Sequence, residues 1–422
     1  MKLSPPVNEN YAATVVRVRS LLPLQGLDNL KALPVFGYQA LVDKTTQLDD
    51  LLLVFPAETQ LSELFCKKNN LYRHTSLNED QTKQGYLDDN RRVRAIKIRG
   101  HRSDALVLPI NALSFLGEIR NLQEGMAFDS IEGVAICGKY ELPRSRQNSR
   151  GSGNSKPRIV RFEKLWFPEH FDTTNFFKVK DRLDPQTNII VTQKLHGTSL
   201  RVGNVLVHRQ FTRIERFLNR FFNLRLEKTE YDYLYGTRRS IKDPKEISSV
   251  GYYGTNLWAV AGEQIEAVLP KGWVLYAEII GWTSQGKPIQ KYYTYHLTQG
   301  TSEVYVYRIS QVNPSGVTVD LSWDQVRQFC TENNLRHVPE LYRGRLVDFP
   351  LQDYIDTQFY KSGLWGSDVV PLAPESPVDE GICIRIEGLT PQIFKAKSPM
   401  FLQHETKLID SGTSDLETTE SE

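Results

Sequence analysis

Cysteine is scarce in this chain of 422 residues: Cys66, Cys137, Cys330 and Cys383 stand far apart and form no CxxC pair. A zinc ribbon needs paired thiolates and a disulfide framework needs several closely spaced cysteines. Neither is expected here, and a reducing, intracellular compartment fits best. Long apolar runs are missing too. No stretch is long enough to span a bilayer, and Met1–Pro6 lacks the apolar core of a signal peptide, so a soluble protein with no membrane partner is expected. Neither sign of charge prevails: 52 Lys and Arg face 50 Asp and Glu, a formal balance of +2. Any affinity for a polyanion must therefore come from local clusters.

The length admits two domains or one elaborated domain. Residues 1–142 read as a small β-rich domain. Val16–Arg19 alternates apolar and basic, as a half-buried strand does. Val35–Val42, Leu51–Phe55 and Ala105–Pro109 are further strands, and Leu61–Lys68 is a short helix. Arg91–Arg99 resumes alternation, with Ile96 and Ile98 on one side and Lys97 and Arg99 on the other. One short helix between the third and fourth of five strands is the order of an OB-like β-barrel. Arg17, Arg19, Lys97 and Arg99 fit either a surface that tracks phosphates or a solvated sheet face.

Residues 143–158 are rich in Arg, Ser, Gly and Asn and read as a flexible basic linker. A second domain is expected over residues 159–404. Asn188–Thr192 is a buried strand running into Lys194-Leu195-His196-Gly197-Thr198-Ser199-Leu200-Arg201, where Gly197 allows a tight turn. Phe211–Glu227 is an amphipathic helix with Ile214, Phe217, Leu218 and Phe221 on one face and Arg213, Arg216 and Arg220 on another. Tyr231, Tyr233 and Tyr235 interleave with further basic residues beyond it. That mixture suits single-stranded nucleic acid, and equally a salt-bridged surface helix. Leu257–Leu269 and Leu321–Asn333 are helices, the latter with a Ser322 cap. Trp273–Ile280, Val304–Ile309, Gly381–Ile386 and Ile393–Lys397 are strands. Residues 405–422 read as an acidic, disordered tail. The fold class is α+β, with antiparallel sheets flanked by helices in the second domain.

Lys194, Glu278, Glu380, Lys395 and Lys397 all fall on strands or at their ends. Charged residues in alternating apolar strands face a polar cavity or pair with one another. Lys395 and Lys397 lie on one side of a strand and suit a polyphosphate. They also favour the neutral, nucleophilic form of a neighbouring lysine. Glu278 and Glu380 suit a hydrated divalent cation.

In this order the segments resemble the motifs of the covalent nucleotidyltransferase superfamily, which comprises polynucleotide ligases and RNA capping enzymes. Lys194–Gly197 matches its first motif, Tyr276-Ala277-Glu278 its third, Glu380–Arg385 its fourth and Lys395-Ala396-Lys397 its fifth, while Tyr305–Ile309 falls where motif IIIa lies. A β-rich domain ahead of the transferase resembles an ATP-dependent RNA ligase branch with an N-terminal OB module. The resemblance implies ATP as substrate, Mg²⁺ or Mn²⁺ as cofactor, and RNA or an RNA-containing nicked duplex as partner. It implies Lys194 as nucleophile. Gln193, His196, Gly197, Arg201, Glu278, Tyr307, Glu380, Lys395 and Lys397 would contact the nucleotide, with Glu278 and Glu380 also at the metal, directly or through water. A DNA ligase, a capping-type enzyme or a non-catalytic nucleic-acid-binding protein are the other readings. Two positions depart from the common pattern: His196 replaces the usual Asp, and Arg308 stands where motif IIIa often carries an acid.

Overall fold

The computed structural model describes residues 3–117, 121–142, 161–222, 226–238, 240–242, 257–356, 369–376 and 378–411. The expected linker (143–158) and the end of the expected tail (412–422) lie outside these residues.

Two antiparallel-rich sheets dominate the region after residue 161. In the first, Thr198–His208 pairs with Thr229–Gly236 on one side and with Trp273–Gly281 on the other. Ser302–Val312 and Thr318–Asp320 continue the sheet. Helix Leu257–Glu266 lies across one face. Trp258, Ala261 and Ile265 pack there with Leu200, Val202, Tyr235, Leu275 and Ala277, and Trp258 Nε1 donates to Ser199 O at 3.0 Å. Each fully buried Leu contributes about 1.5–3 kcal/mol relative to exposure. In the second sheet, Asn188–Lys194 sits between Glu340–Arg345 and Gly381–Ile386, followed by Gln392–Lys397 and the short Thr174–Asn175. Ile190 packs into the core of the first sheet. Ile189 and Val191 pack on the other side with Ile382, Ile384 and Phe176. A strand buried on both faces reads as a continuous apolar run, and Ile189-Ile190-Val191 is one.

The tight segment Leu195–Gly197 carries the chain from one sheet to the other. Gly197 is required for a reason other than a turn dihedral. Its φ is ordinary, but an added Cβ would meet the Ile279 carbonyl oxygen at 2.1 Å.

The N-terminal strands form several small sheets. Ala13–Arg17 and Leu51–Pro56 are central in a four-stranded one, edged by Ala105–Pro109 and Ala127–Phe128, and separate pairings join the rest. Among the described residues these pairings close no barrel. The expected strand Val35–Val42 is in fact a hairpin, Leu30–Val35 and Tyr38–Asp43, turning at Phe36 and Gly37, both with positive φ. A Cβ on Gly37 would strike the Phe177 ring. The expected strand Arg91–Arg99 narrows to Ile96–Ile98, with Ile96 and Ile98 exposed and Arg99 in the following turn.

Within the expected disordered tail, residues 405–410 are helical. Helix Pro399–Asp410 continues through them because the N-terminal region holds it. The buried Arg92 guanidinium donates to Thr406 O at 3.1 Å and to Asp410 Oδ1 at 2.8 Å, and lies 3.3 Å from Glu58 Oε2. Thr406 Oγ1 donates to Glu58 Oε1 at 2.7 Å and accepts from Ala95 N at 3.2 Å. Leu402 packs on Ala57 and Ala95.

The strand carrying the fourth motif depends on Gly381. Its φ is +145°, and a Cβ there would meet the Ala396 carbonyl oxygen at 2.1 Å. Gly381→Ala is expected to destabilise the protein by about 1–3 kcal/mol, as overpacking does. Chemical denaturation against the parent protein measures it, and an unchanged midpoint would refute this account of the close approach.

Candidate active site

Register brings the predicted charges together. Lys194 ends its strand opposite Gly381, and Gly381 lies opposite Lys397 on the next strand. Lys194, Glu380 and Lys397 thus meet at one end of the second sheet. Glu278 comes from the first sheet, opposite Ser199, and its Oε1 accepts from Gly197 N at 2.8 Å. A cavity of about 220 Å³ lies between the sheets, bordered by Lys194, His196, Glu278, Tyr307, Glu380, Lys395 and Lys397.

Glu380 is the hub. Its carboxylate, 4% exposed, lies 2.8 Å from Lys194 Nζ, 3.5 Å from His196 Nδ1 and 3.5 Å from Lys397 Nζ. Burial alone would raise its pKa, but Lys194, Lys397 and His196 outweigh burial and hold it well below the usual carboxylate range. Burial pulls the Lys194 ammonium the other way, but Glu380, with Cys383 and Glu278, outweighs it and raises Lys194 above an ordinary lysine. At rest, Lys194 is therefore protonated. Lys397 is also paired with Glu405, at 3.1 and 3.2 Å. Lys395 behaves differently: burial, then the charges of Lys397, Lys194 and Arg238, bring it down to about 7.

The imidazole of His196 does not stand in for a free carboxylate. It sits edge-on to Tyr293 and Phe401, with ring centroids 4.6 and 5.0 Å away, while its backbone N–H donates to the Tyr295 hydroxyl at 2.6 Å. Tyr307 owes its place to a β-bulge. Tyr276 pairs with Arg308 and Ala277 with Val306, which leaves Tyr307 as the extra residue on its strand. Its ring lies edge-on to His170, 5.1 Å away. Of the two fourth-motif neighbours, Ile382 is fully buried in the core and Cys383 borders the cavity.

Other expectations are corrected by position. Arg201 is 1% exposed, and its guanidinium donates to Thr237 O and Phe167 O at 3.1 and 3.0 Å, so it braces the sheet and does not border the cavity. Gln193 borders the cavity, yet its amide is held by Val370 and Asp379. Arg308 lies between the rings of Phe171 and Tyr276, each 4.5 Å away, and pairs with Asp320 at 2.8 Å. The missing acid of motif IIIa is thus replaced by a structural cation. Arg17 and Arg19 share Glu124, and Arg99 donates to Gly26 O, while Lys97 lies exposed on the Ile96–Ile98 hairpin. The basic helix is shorter than expected, Arg213–Phe222. Its apolar stripe, Ile214, Phe217 and Phe221, is exposed and not packed on the core. Arg213 and Arg220 are exposed away from the cavity, and the side chain of Arg216 lies outside the described residues. The motifs did not point to Tyr11, Lys139 and Tyr140, which border the cavity from the N-terminal region, or to Glu405. No local pattern marks these residues.

The donor set bears on a metal. Among the described residues no group of three or more His, Cys, Asp and Glu is placed to enclose an ion. Glu278 and Glu380, on facing sheets at the cavity, fit a hydrated Mg²⁺ or Mn²⁺ that keeps water and phosphate ligands. No helix among the described residues is long and apolar enough to cross a membrane.

The depressed Lys395 pKa sets a pH dependence. Above about 7 the free side chain is largely neutral, and a bound polyanion restores its proton. Binding of inorganic tripolyphosphate is expected to take up about one proton at about pH 8 and almost none at about pH 6. Calorimetry in buffers of different ionisation enthalpy measures the uptake. Equal uptake in Lys395→Met would assign the proton elsewhere.

Residues 187–397, half of the chain, match the RNA ligase family. No curated protein matches. Several solved structures of Naegleria gruberi RNA ligase share the fold. A lysine-to-alanine mutant with ATP and Mn aligns at TM-score 0.58 and 18% identity, over 96% of this chain and 99% of that one. A complex with PPi aligns at 0.60 and 17%, over 94% and 98%. A lysine-to-methionine mutant with AMP and Mn aligns at 0.57 and 16%, over 93% and 98%.

Proposed function

The chain belongs to the RNA ligase family, and from that premise we propose that it is an ATP-dependent ligase that joins a 5′-phosphate end to an RNA 3′-OH through a lysyl-adenylate on Lys194, at nicks in duplexes. One observation carries this reading. Lys194 shares a buried carboxylate with Lys397 at a cavity that also holds Lys395, Tyr307 and Glu278. A nucleophilic amine and cations for the α-phosphate thus stand at one point. The N. gruberi ligase structures with ATP and Mn, with PPi and with AMP and Mn accord with ATP and a divalent ion.

In the first step Lys194 Nζ, as the neutral amine, attacks the α-phosphorus of ATP. A nitrogen–phosphorus bond forms, the bond to the β-phosphate oxygen breaks and pyrophosphate leaves. In the second, an oxygen of the RNA 5′-phosphate attacks the AMP phosphorus and Lys194 departs. In the third, the 3′-OH attacks the adenylated end and AMP leaves. Displacements of this kind depend on positioning and on neutralising charge.

The resting structure holds Lys194 in a form that does not attack, because Glu380 keeps it protonated. Loosening of that ion pair is the condition for the first step. A divalent ion held by Glu278 and Glu380 would supply positive charge to the phosphates and weaken the hold of Glu380 on the lysine. Lys395 and Lys397 would bind the α-phosphate, and Tyr307 would stack on the adenine, placed for it by the bulge. The N-terminal region, read as an OB-like module over residues 1–142, would contact RNA. Lys97 and Arg99 on its hairpin are better candidates than Arg17 and Arg19, which share a carboxylate. Arg213, Arg216 and Arg220 remain candidates for the duplex beyond the cavity.

Lys194→Met is expected to keep the fold and lose covalent labelling by α-labelled ATP, measured after denaturing separation. Full labelling of that variant would sink the assignment. Labelling of the parent protein by GTP and not ATP would turn the reading to capping. Indifference to the 3′-terminal sugar of a nicked duplex would turn it to a DNA ligase.

A further inference from the structure

One wall of the cavity belongs to none of the motifs. Asn8, Tyr11, Glu58, Lys139 and Tyr140 border it from the N-terminal region, on the side of Lys397 and Glu405. This wall is fixed to the sheets behind it. Tyr11 ends the short turn Glu9–Tyr11, which the Asn8 side chain caps. The Asn10 side chain donates to Thr173 O at 3.1 Å and accepts from Asn175 N at 3.0 Å, and Lys178 Nζ donates to Glu9 O. Asn175 in turn donates to the Tyr38 hydroxyl at 2.7 Å. Behind Tyr140, the Arg92 guanidinium lies 5.2 Å from its ring, and Tyr140 N donates to Glu58 O at 2.9 Å. The clamp on helix Pro399–Asp410 therefore also sets the position of residues 139–140.

The polar tip of the Tyr11 side chain has no assigned task. Among the described residues its hydroxyl makes no hydrogen bond, although it lies at the cavity in the field of Lys397, Glu405 and Glu58. Burial raises its pKa far above that of an ordinary phenol, so at neutral pH it is a proton donor. The Lys139 ammonium lies 5.8 Å from the centre of the Tyr11 ring. The two nearby carboxylates are already engaged: Glu405 by Lys397, and Glu58 by Arg92 and Thr406. A donor hydroxyl at the cavity, with the Lys139 ammonium by its ring and Lys397 near it, suits an anionic oxygen ligand.

We propose that the N-terminal region completes the phosphate site: the Tyr11 hydroxyl, with Lys139 beside it, binds a phosphate group held against Lys397. This rests on the ligase reading, and two phosphate sources share the chemistry, the departing phosphates of ATP and the 5′-phosphate of the RNA end. In either case the N-terminal region takes part in the reaction itself and is more than a platform for the duplex.

The test uses full-length Tyr11→Phe and Lys139→Ala, each checked by its melting temperature. Lys139 is exposed, so its variant reports even if the Tyr11 change perturbs packing. One arm measures single-turnover formation of the lysyl-adenylate across ATP concentrations. The other starts from purified enzyme–adenylate and measures AMP transfer to 5′-phosphorylated RNA. A loss of about tenfold or more in one arm is expected for Tyr11→Phe, the size of a hydrogen bond to a charged group. A loss in the first arm, seen in the ATP concentration dependence, assigns the phosphates of ATP; a loss confined to the second assigns the RNA 5′-phosphate. Both variants matching an active parent in both arms would overturn the proposal. A parent that forms no adenylate would overturn the ligase reading beneath it.

Discussion

A single buried carboxylate organises this site. Glu380 faces Lys194, His196 and Lys397 together, and without those partners its burial would push it toward the neutral acid. The dependence is mutual: with Glu380 removed, two ammonium groups would face each other in a confined cavity. Such a cluster is stable only as a whole, because breaking one member leaves an uncompensated buried charge. The same attraction keeps Lys194 protonated at rest.

That cluster is possible because two sheets meet at the Lys194 turn. Lys194 belongs to one sheet and Thr198 to the other, and Gly197 passes against the Ile279 carbonyl, where no side chain fits. The cavity opens between the sheets, which puts Glu278 on one wall and Glu380 on the other. Helix Pro399–Asp410, directly after the Lys397 strand, carries Glu405 to the same lysine. It is held in turn from the N-terminal side by Arg92, Glu58 and Ala95. A chain of contacts thus runs from the N-terminal sheets to the fifth-motif lysine.

Several residues read as functional have become structural. Arg201 follows Lys194 by seven positions and looks like a substrate contact, but its guanidinium holds two backbone carbonyls. Arg308 occupies the place of an acid and turns to Asp320 between two aromatic rings. In both cases the motif pattern gives a position on a strand, and the side chain proves buried. What it leaves open is whether a buried cation faces the cavity or a partner of its own.

Elements whose signals are local were legible in the sequence alone. The strand Gly381–Ile386 has the bounds expected of it, and Ser322 caps its helix with Gln325 completing a capping box, because alternation and capping are settled within a few residues. The charged residues of the motifs were legible too, since their types, order and strand positions express the chemistry directly. Tertiary structure alone decided the rest. The hairpin turn at Gly37 answers to the Phe177 ring, the bulge that frees Tyr307 exists only against Tyr276 and Ala277, and helix Pro399–Asp410 is held through residue 410 by Arg92, more than three hundred positions away. The wall formed by Tyr11 and Lys139 is of the same kind: its residues carry no periodicity or spacing of their own, and they border the cavity only because distant parts of the chain come together there.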